Sequence, residues 1–370
     1  MFDYASEIAG FHAECVRLTN PQRADMRSRR QTNLDRVKNG LKELEKPAYV
    51  DTINQGGYAQ KTMIQPPEAD QESRYDIDLG IVFEEADAAG PRTTRGWVRD
   101  AIAHKATNMK NAPESKKKCV RVVYADGYQC DFPVFRRRLK QSGNDYIYEL
   151  SSGDDWVASD PRSMNNWIEK QVCDRSPEKA GSYQLRRIIR LGKFFSKTHA
   201  NRLSRQFPSG LVATSLFINC YVPIEGRDDE SFRETLRHLS ARSQYEIAWA
   251  NGVQVSDAKD VERIRRLIEQ AGASVQDLDH LEASDVTESD ARKAWKKVFC
   301  HSYFDELVEE AVTGSSTASD QLFAASAGLA APFIASQAAA ALSSQERSAR
   351  LDAAVNVRRE SGGGSKPWST

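Results

Sequence analysis

The sequence lacks a net charge, and it also lacks the segments by which membrane and secreted proteins are recognised. Lys plus Arg and Asp plus Glu both number 52, so no overall basic field indicates a nucleic-acid partner. The first residues, MFDYASEIAG, contain no basic segment followed by an apolar one. The most apolar stretch, residues 322–342, is mainly Ala and Ser with Pro332 in its middle. We therefore expect a cytoplasmic protein with no membrane partner.

Cysteine is scarce and is not arranged for metal binding or for cross-linking. No CxxC pair is present, and Cys300-His301 has no partner ligands at zinc-finger spacing. We interpret all of the cysteines as reduced thiols. The six are Cys15, Cys119, Cys130, Cys173, Cys220 and Cys300.

Two kinds of periodicity divide the chain, which has no internal repeat. Residues 5–45 have helical spacing with a charged outer face, with Asn20 as a candidate N-cap and Pro47 as a terminator. From Asp160 to about residue 310 the pattern is helical, and it then becomes rich in Ala, Ser and Gly. We predict an α+β fold with domains at 1–160, 161–312 and a tail at 313–370. Between the two helical regions lie β-prone runs at 49–54, 75–83, 118–125, 128–135 and 145–150, with a helix at 96–106.

The run YDIDLGIVF places two carboxylates on one face of a strand. Successive side chains of a strand point to opposite faces, so Asp76 and Asp78 share a face. Their repulsion is offset if a hard divalent cation such as Mg²⁺ lies between them. A strand end with two solvated aspartates is the alternative, and it stays open on this fragment.

A third carboxylate and a glycine pair extend the pattern. In VRVVYADGYQCDFPVF, Asp126-Gly127 predicts a hairpin that carries Asp131 on its returning strand. In INQGGYAQKT, Gly56-Gly57 follows a strand, where free backbone N–H groups can bind phosphate, although glycine pairs also mark ordinary turns. Three carboxylates on neighbouring strands are what two-metal nucleotidyl transfer needs.

These motifs resemble the polymerase-β-like nucleotidyltransferases and, more narrowly, the bacterial cGAS/DncV-like enzymes that make cyclic oligonucleotides in anti-phage signalling. QGGYAQKT resembles Q-G-S-[FY]-x-x-x-T, YDIDLGIVF resembles the D-I-D strand, and WVASDPRSMNNWIEK resembles the W-x-x-S-D-P segment that opens a second domain. The likeness runs from about residue 15 to residue 220. Gly57 replaces a frequent serine, which puts one phosphate contact in doubt, and PPEADQESR lengthens the gap before Asp76.

The resemblance implies a fold and a set of site residues. The fold is a mixed-sheet core with flanking helices and an N-terminal spine helix, followed by a helical domain. Asp131 could also help to deprotonate the attacking hydroxyl. Without the resemblance, Lys193 reads as a solvated charge, Ser209 as an N-cap and Tyr58 as a core residue. The implied catalytic and metal-binding residues are Asp76, Asp78 and Asp131, with two Mg²⁺ ions or Mn²⁺ as an alternative, and the implied nucleotide-binding residues are Gln55, Gly56, Gly57, Tyr58, Lys193 and Ser209.

The implied activity is condensation of ATP and GTP into a cyclic dinucleotide such as cyclic GMP-AMP, with release of pyrophosphate. Linear transfer to RNA or protein, or a non-catalytic nucleotide-binding scaffold, are the alternatives. The implied partners are nucleoside triphosphates, a regulatory or conjugating protein at the C-terminal tail, and a downstream effector reached through the cyclic product. A nucleic-acid activator is left open. Basic patches that could line a cleft or be solvated are Lys116 to Lys118 with Arg121, Arg136 to Arg138, and Arg186, Arg187 and Arg190.

Overall fold

A mixed β-sheet and a set of helices form the chain in a computed structural model. Residues 1–303 make one compact unit, and a second unit begins at Phe304. The tail at 313–370, the apolar stretch at 322–342, Tyr75 and Asp126 lie outside the described residues. The structure describes residues 1–68, 76–106, 109–125, 127–143, 145–178, 181–248 and 254–305.

The N-terminal region forms the predicted spine. A short helix α1, Ala5–Phe11, leads through a π-helical turn, His12–Val16, into the long helix α2, Asn20–Glu43. Thr19, and not Asn20, is the N-cap, because Thr19 and Gln22 form a reciprocal capping box. Helix α2 ends four residues before Pro47, so the proline does not terminate it.

Seven described strands form one sheet, and all five predicted strands are present within a few residues of their expected bounds. The order is β1-β2-β5-β4-β3, with β6 on the second half of β5 and β7 beside β6. Among the described strands, only the pair of β2 with β5 is parallel. The strands are β1 Asp51–Gln55, β2 Asp76–Glu84, β3 Glu114–Ser115, β4 Cys119–Val123, β5 Gln129–Leu139, β6 Tyr146–Ser152 and β7 Asp155–Ala158.

The predicted hairpin is present, with Val123 opposite Gln129. The strands β3 and β7 were not predicted, because they contain only two and four residues. Two further helices belong to this half of the chain: a single turn α3, Gly56–Ala59, and α4, Pro91–Lys105. Helix α4 begins five residues before its predicted start, since Pro91 suits the first helical turn.

The two faces of β2 have different environments, and this difference positions the aspartates. Ile77, Leu79 and Phe83 are buried in the main core, to which α2 and α4 also contribute. On the opposite face Val82 joins a smaller cluster with Phe135, whereas the other end of that face carries Asp76 and Asp78. The aspartates are therefore held on a strand whose other face is fully packed.

The second half of the chain is helical, as predicted. Its described helices pack through an aromatic core that includes Phe195, Phe217 and Trp295. The α+β fold class is confirmed, while the predicted boundary at residue 160 stays a prediction. None of the described helices is both long and apolar enough to cross a bilayer, and none of the six cysteines forms a disulfide. The helices are α5 Pro161–Arg175, α6 Gln184–Leu203, α7 Gly210–Cys220, α8 Asp228–Ser240, α9 Asp260–Asp279 and α10 Glu288–Phe299.

Candidate active site

A row of polar side chains crosses four adjacent strands. Gln55 is paired with Asp78, Asp78 with Asp131, and Asp131 with Arg121. Partners in register point to the same face of a sheet, so these four side chains are neighbours on one face. Asp76 joins them because it lies two residues before Asp78 on the same strand.

The three predicted aspartates converge in this row. Asp76, Asp78 and Asp131 each offer a carboxylate oxygen, and these oxygens lie within 4.8 Å of one another. Asp131 is 8% exposed, Asp78 is partly buried and Asp76 is exposed. A set of clustered carboxylates is the donor chemistry that hard divalent cations choose, so these three residues would hold such a cation.

Burial and mutual repulsion alter the acidity of two of these groups. The protein atoms around the Asp76 carboxyl group remove part of its hydration, and this desolvation, followed by the charge of Asp131, raises the pKa of Asp76 from 3.8 to about 6. Burial, followed by the charges of Asp76 and Asp131, raises the pKa of Asp78 to about 7. These two carboxyl groups therefore bind a proton more readily than an ordinary aspartate, and a divalent cation would compete with that proton.

This acidity predicts that the metal-free chain loses stability as pH rises. The folded-state pKa of Asp78 lies above its ordinary value, so its contribution to stability is complete below the ordinary value. That contribution is lost as pH passes through about 7. Thermal unfolding in EDTA at pH values of about 5.5 and about 8 measures the effect.

An Asp78→Asn variant is the reference in this experiment, since it removes the charge and leaves the other titrating groups in place. We expect the variant to lose less stability than the parent between the two pH values. Identical losses in the two chains would contradict the prediction.

Gly56 is required where β1 turns into α3. Its φ of +59° lies in the left-handed region, and a Cβ there would lie 2.1 Å from the Asp78 Oδ2 atom. Gly57 has no such backbone constraint. A Cβ at Gly57 would lie 3.2 Å from Lys193 Nζ and from Met63 Cγ, so the serine common at this position would need only small shifts of two flexible side chains.

A cleft of about 640 Å³ opens between this turn, the aspartates and helices α5 to α7. Gln55, Gly56, Gly57, Asp76 and Asp78 line one wall. Among the residues of the opposite wall, the sequence analysis predicted only Lys193. The periodicity of α6 could have predicted three more, because Ser196, Lys197 and Ala200 follow Lys193 at helical spacing and so share its face. The residues of this wall include Met164, Asn165, Lys193, Ser196, Lys197, Ala200, Phe207 and Leu211.

Lys193 is a cation at the cleft wall, and its surroundings differ from those of a solvated charge. Its Nζ donates to the Thr62 carbonyl oxygen at 2.8 Å. Burial, followed by the charge of Arg190, lowers the pKa of Lys193 from 10.5 to about 8. A partly desolvated ammonium group is suited to an incoming phosphate, and the predicted phosphate contact stays a prediction.

The other two nucleotide-binding candidates have structural roles of their own. Ser209 is the N-cap of α7, where its Oγ accepts from the Val212 N–H at 3.4 Å. Tyr58 packs, partly buried, against the main core. Both arrangements match the alternatives considered from sequence, and the nucleotide contacts of Ser209 and Tyr58 stay predictions.

The arginines that flank Lys193 form ion pairs or hydrogen bonds with other residues of the protein. Arg186 pairs with Glu169, while Arg187 pairs with Asp228 and Glu178. Arg190 donates twice to the carbonyl oxygen of Lys61. The interpretation of these three as cleft-lining residues finds no support, because none of them lines the described cleft.

Arg121 is the member of the row whose position sequence reasoning missed. Its Nε donates to Asp131 Oδ1 at 2.9 Å and its Nη2 donates to Asp131 Oδ2 at 2.7 Å. The register of the predicted hairpin could have indicated this position, because it places Arg121 directly opposite Asp131. Both oxygens of the most buried of the three clustered aspartates are thus held by one guanidinium group.

Comparison with known proteins gives a family match in the region of the row. Residues 50–135 match the family described as cyclic GMP-AMP synthase DncV-like, nucleotidyltransferase domain. This range contains the glycine pair, the three aspartates and Arg121. A curated cyclic GMP-AMP synthase from Escherichia albertii is 22% identical over 269 residues. That alignment covers 70% of this chain and 57% of the relative, so the chain spans little more than half of the relative's length.

Solved structures give a match over most of the chain. The crystal structure of Vibrio cholerae DncV cyclic AMP-GMP synthase, a prokaryotic cGAS homologue, aligns with a TM-score of 0.63 at 14% identity. The match covers 81% of this chain and 96% of that one. The same enzyme in complex with the linear intermediate 5' pppA(3',5')pG aligns with a TM-score of 0.61 at 14% identity, covering 80% and 95%. At this identity the likeness establishes the shared fold.

Proposed function

We propose that this chain, in which residues 50–135 match the DncV-like nucleotidyltransferase family, joins nucleoside triphosphates into a cyclic oligonucleotide and releases pyrophosphate with each bond. The observation that carries the proposal is the convergence of Asp76, Asp78 and Asp131 beside the Gly56 turn, with Asp76 and Asp78 lining a cleft. More specifically, the product is a cyclic dinucleotide such as cyclic GMP-AMP, made from ATP and GTP. Its role is a signal in anti-phage defence.

The cleft binds the donor triphosphate between its two walls. The backbone of Gln55, Gly56 and Gly57 offers N–H groups where β1 ends, and these groups contact the phosphate oxygens. Lys193 approaches from α6, close to Gly57, and supplies positive charge from the opposite side. Two walls of complementary character orient the triphosphate with its α-phosphate toward the aspartates.

Each bond forms by in-line displacement at that α-phosphate. The hydroxyl oxygen of the acceptor nucleotide bonds to the α-phosphorus, the bond to the bridging oxygen breaks, and pyrophosphate leaves with the electron pair. Asp76, Asp78 and Asp131 would hold two Mg²⁺ ions, which stabilise the charge on the attacking and leaving oxygens. Asp131 would also accept the hydroxyl proton.

A cyclic product needs two such bonds from one set of carboxylates. After the first bond, the linear intermediate must turn so that its own triphosphate becomes the donor. The cleft volume of about 640 Å³ gives room for this rearrangement. A linear intermediate bound to the related Vibrio cholerae enzyme supports such a sequence of steps.

Incubation of the purified chain with the four nucleoside triphosphates and Mg²⁺ tests the proposal. Phosphatase then removes all terminal phosphates, and mass spectrometry identifies what survives. A phosphatase-resistant cyclic product would support the proposal and would name its bases and ring size. Label from ATP on RNA or protein, with no cyclic product, would replace it by linear transfer. Triphosphate binding without any transfer would leave the scaffold alternative.

The proposed partners need separate tests. The tail at 313–370, which lies outside the described residues, is the proposed contact of a regulatory or conjugating protein, and removal of residues 361–370 would abolish that contact. The downstream effector would be recognised by its binding of the cyclic product. Both remain proposals that depend on the activity of the cleft.

Lys193→Gln is expected to weaken the use of triphosphate. The change removes the cation opposite the Gly57 turn and leaves the aspartates in place. We expect the KM for the donor to rise by about 10- to 100-fold, as for the loss of one buried charge-assisted contact. Lys170→Gln, on the exposed surface of α5, is the matched control. Initial rates across a range of triphosphate concentrations measure the effect, and an unchanged KM would argue against the phosphate contact.

A further inference from the structure

The ion pair between Arg121 and Asp131 uses the ligand atoms that a metal ion needs. Both carboxylate oxygens of Asp131 accept from the guanidinium group, at 2.9 Å and 2.7 Å. A two-pronged pair of this kind fixes the plane of the carboxylate and is among the stronger ion pairs in proteins. An ion bound to Asp131 must therefore share these oxygens with Arg121 or displace it.

The two partners differ in their freedom to move. The Asp131 side chain is 11% exposed and lies on β5 between two paired strands. The Arg121 side chain is 38% exposed, so more of it is in solvent than of its partner. Separation of the pair is therefore a movement of Arg121.

The charges in the row favour that movement most strongly when metal ions and a triphosphate are bound together. In the empty site Arg121 partly neutralises three clustered carboxylates. Two divalent cations next to Asp131 would repel the guanidinium, whereas the phosphates of a bound triphosphate would attract it. Nucleotide and metal would then act on Arg121 in the same direction.

We propose that, in the absence of ligands, Arg121 binds the Asp131 carboxylate in place of a metal ion. When a triphosphate binds, Arg121 releases the carboxylate. Arg121 is thus a positioning residue that lowers the affinity of the empty site for divalent cations and couples their binding to that of the nucleotide. The inference rests on the proposed function, because it takes the three aspartates as metal ligands.

Mn²⁺ binding to the full chain, measured by isothermal titration calorimetry without nucleotide, tests the inference apart from catalysis. We expect Arg121→Gln to bind Mn²⁺ about tenfold more tightly than the parent, since the competing cation is gone. Arg121→Lys keeps the positive charge but cannot donate to both oxygens in the same way. Its affinity for Mn²⁺ should therefore lie between those of the parent and Arg121→Gln. Arg138→Gln, exposed on the same sheet, is the matched control and should bind like the parent.

A second measurement adds a non-hydrolysable triphosphate analogue. The analogue should tighten Mn²⁺ binding strongly in the parent and by a smaller factor in Arg121→Gln. Unchanged or weaker Mn²⁺ binding by both Arg121 variants, with unaltered unfolding midpoints, would overturn the inference. If Arg121→Gln fails to fold, Arg121→Lys alone decides it by the same criterion.

The failure of this inference can be separated from failure of the proposed function. If Asp76→Asn with Asp78→Asn leaves Mn²⁺ binding as in the parent, the metal site and the inference both fall. If that double variant loses Mn²⁺ binding but the Arg121 variants bind like the parent, only the inference falls. If Arg121→Gln binds more tightly and no cyclic product is found, the inference stands and the product assignment falls.

Discussion

Replacing Asp76 and Asp78 together by asparagine is expected to lower nucleotide transfer by at least about 10³-fold, the scale on which loss of a group essential to catalysis acts. Both carboxylates belong to the cluster whose oxygens lie within 4.8 Å of one another. An amide offers one neutral oxygen in place of a charged pair, so it does not hold a divalent cation against a triphosphate. Product formation per unit time, measured by mass spectrometry with Mg²⁺, gives the result.

The same substitution should not damage the fold, which makes the result easy to interpret. Asparagine has nearly the shape of aspartate and removes a repulsion that raises the pKa of Asp78. In EDTA at pH 8 we therefore expect an unfolding midpoint at or above that of the parent. Asp87→Asn, at an exposed position after β2, is the matched control and should retain activity. Full activity in the double variant would remove the basis of the proposed mechanism.

Gly56→Ala has the second largest expected effect. The left-handed conformation at φ +59° costs an L-residue roughly 1–2 kcal/mol. In addition, the new Cβ would lie 2.1 Å from Asp78 Oδ2, so the carboxylate or the turn must shift. We expect transfer to fall by about 10²-fold or more, because a displacement of about 1 Å at a reacting centre has effects of this size.

Gly57 gives a neighbouring control for this experiment. Gly57→Ser introduces a Cβ that would meet only flexible side chains, at 3.2 Å, and it restores the residue common in the resembling family. We expect activity within about threefold of the parent, because surface and flexible sites absorb such changes. The contrast is measured as initial rates of both variants with unfolding midpoints beside them. Equal losses at Gly56 and Gly57 would show that the turn tolerates no side chain at either position.

Much of the site was predictable from local patterns. The alternation of YDIDLGIVF placed Asp76 and Asp78 on one strand face, and the turn at Gly127 placed Asp131 on a returning strand. These inferences depend only on the period of a strand and on turn chemistry. The helical spacing within residues 5–45 likewise predicted helix α2, although its cap is Thr19 and not the predicted Asn20, because Thr19 and Gln22 form a reciprocal pair of bonds.

Other parts needed the contacts between elements. Ser209 and Lys193 are both polar residues of the helical half, yet Ser209 caps α7 and Lys193 faces the cleft. The arginines next to Lys193 looked equally suited to the cleft, but acidic partners on α5 and α8 hold Arg186 and Arg187. Sequence spacing does not indicate which of these polar residues faces the cleft. That depends on which helices pack against one another.

The sequence by itself determined which residues share a face and which segments are strands or helices, since these follow from backbone periodicity within a few neighbouring residues. The tertiary structure decided the register of β2 and β4 on β5, and with it the row from Gln55 through Asp78 and Asp131 to Arg121. A shift of one residue would turn every side chain of a strand to the other face. Pairing between distant segments fixes that register, because only the packed core selects one alignment, and so the ion pair at Asp131 belongs to the fold.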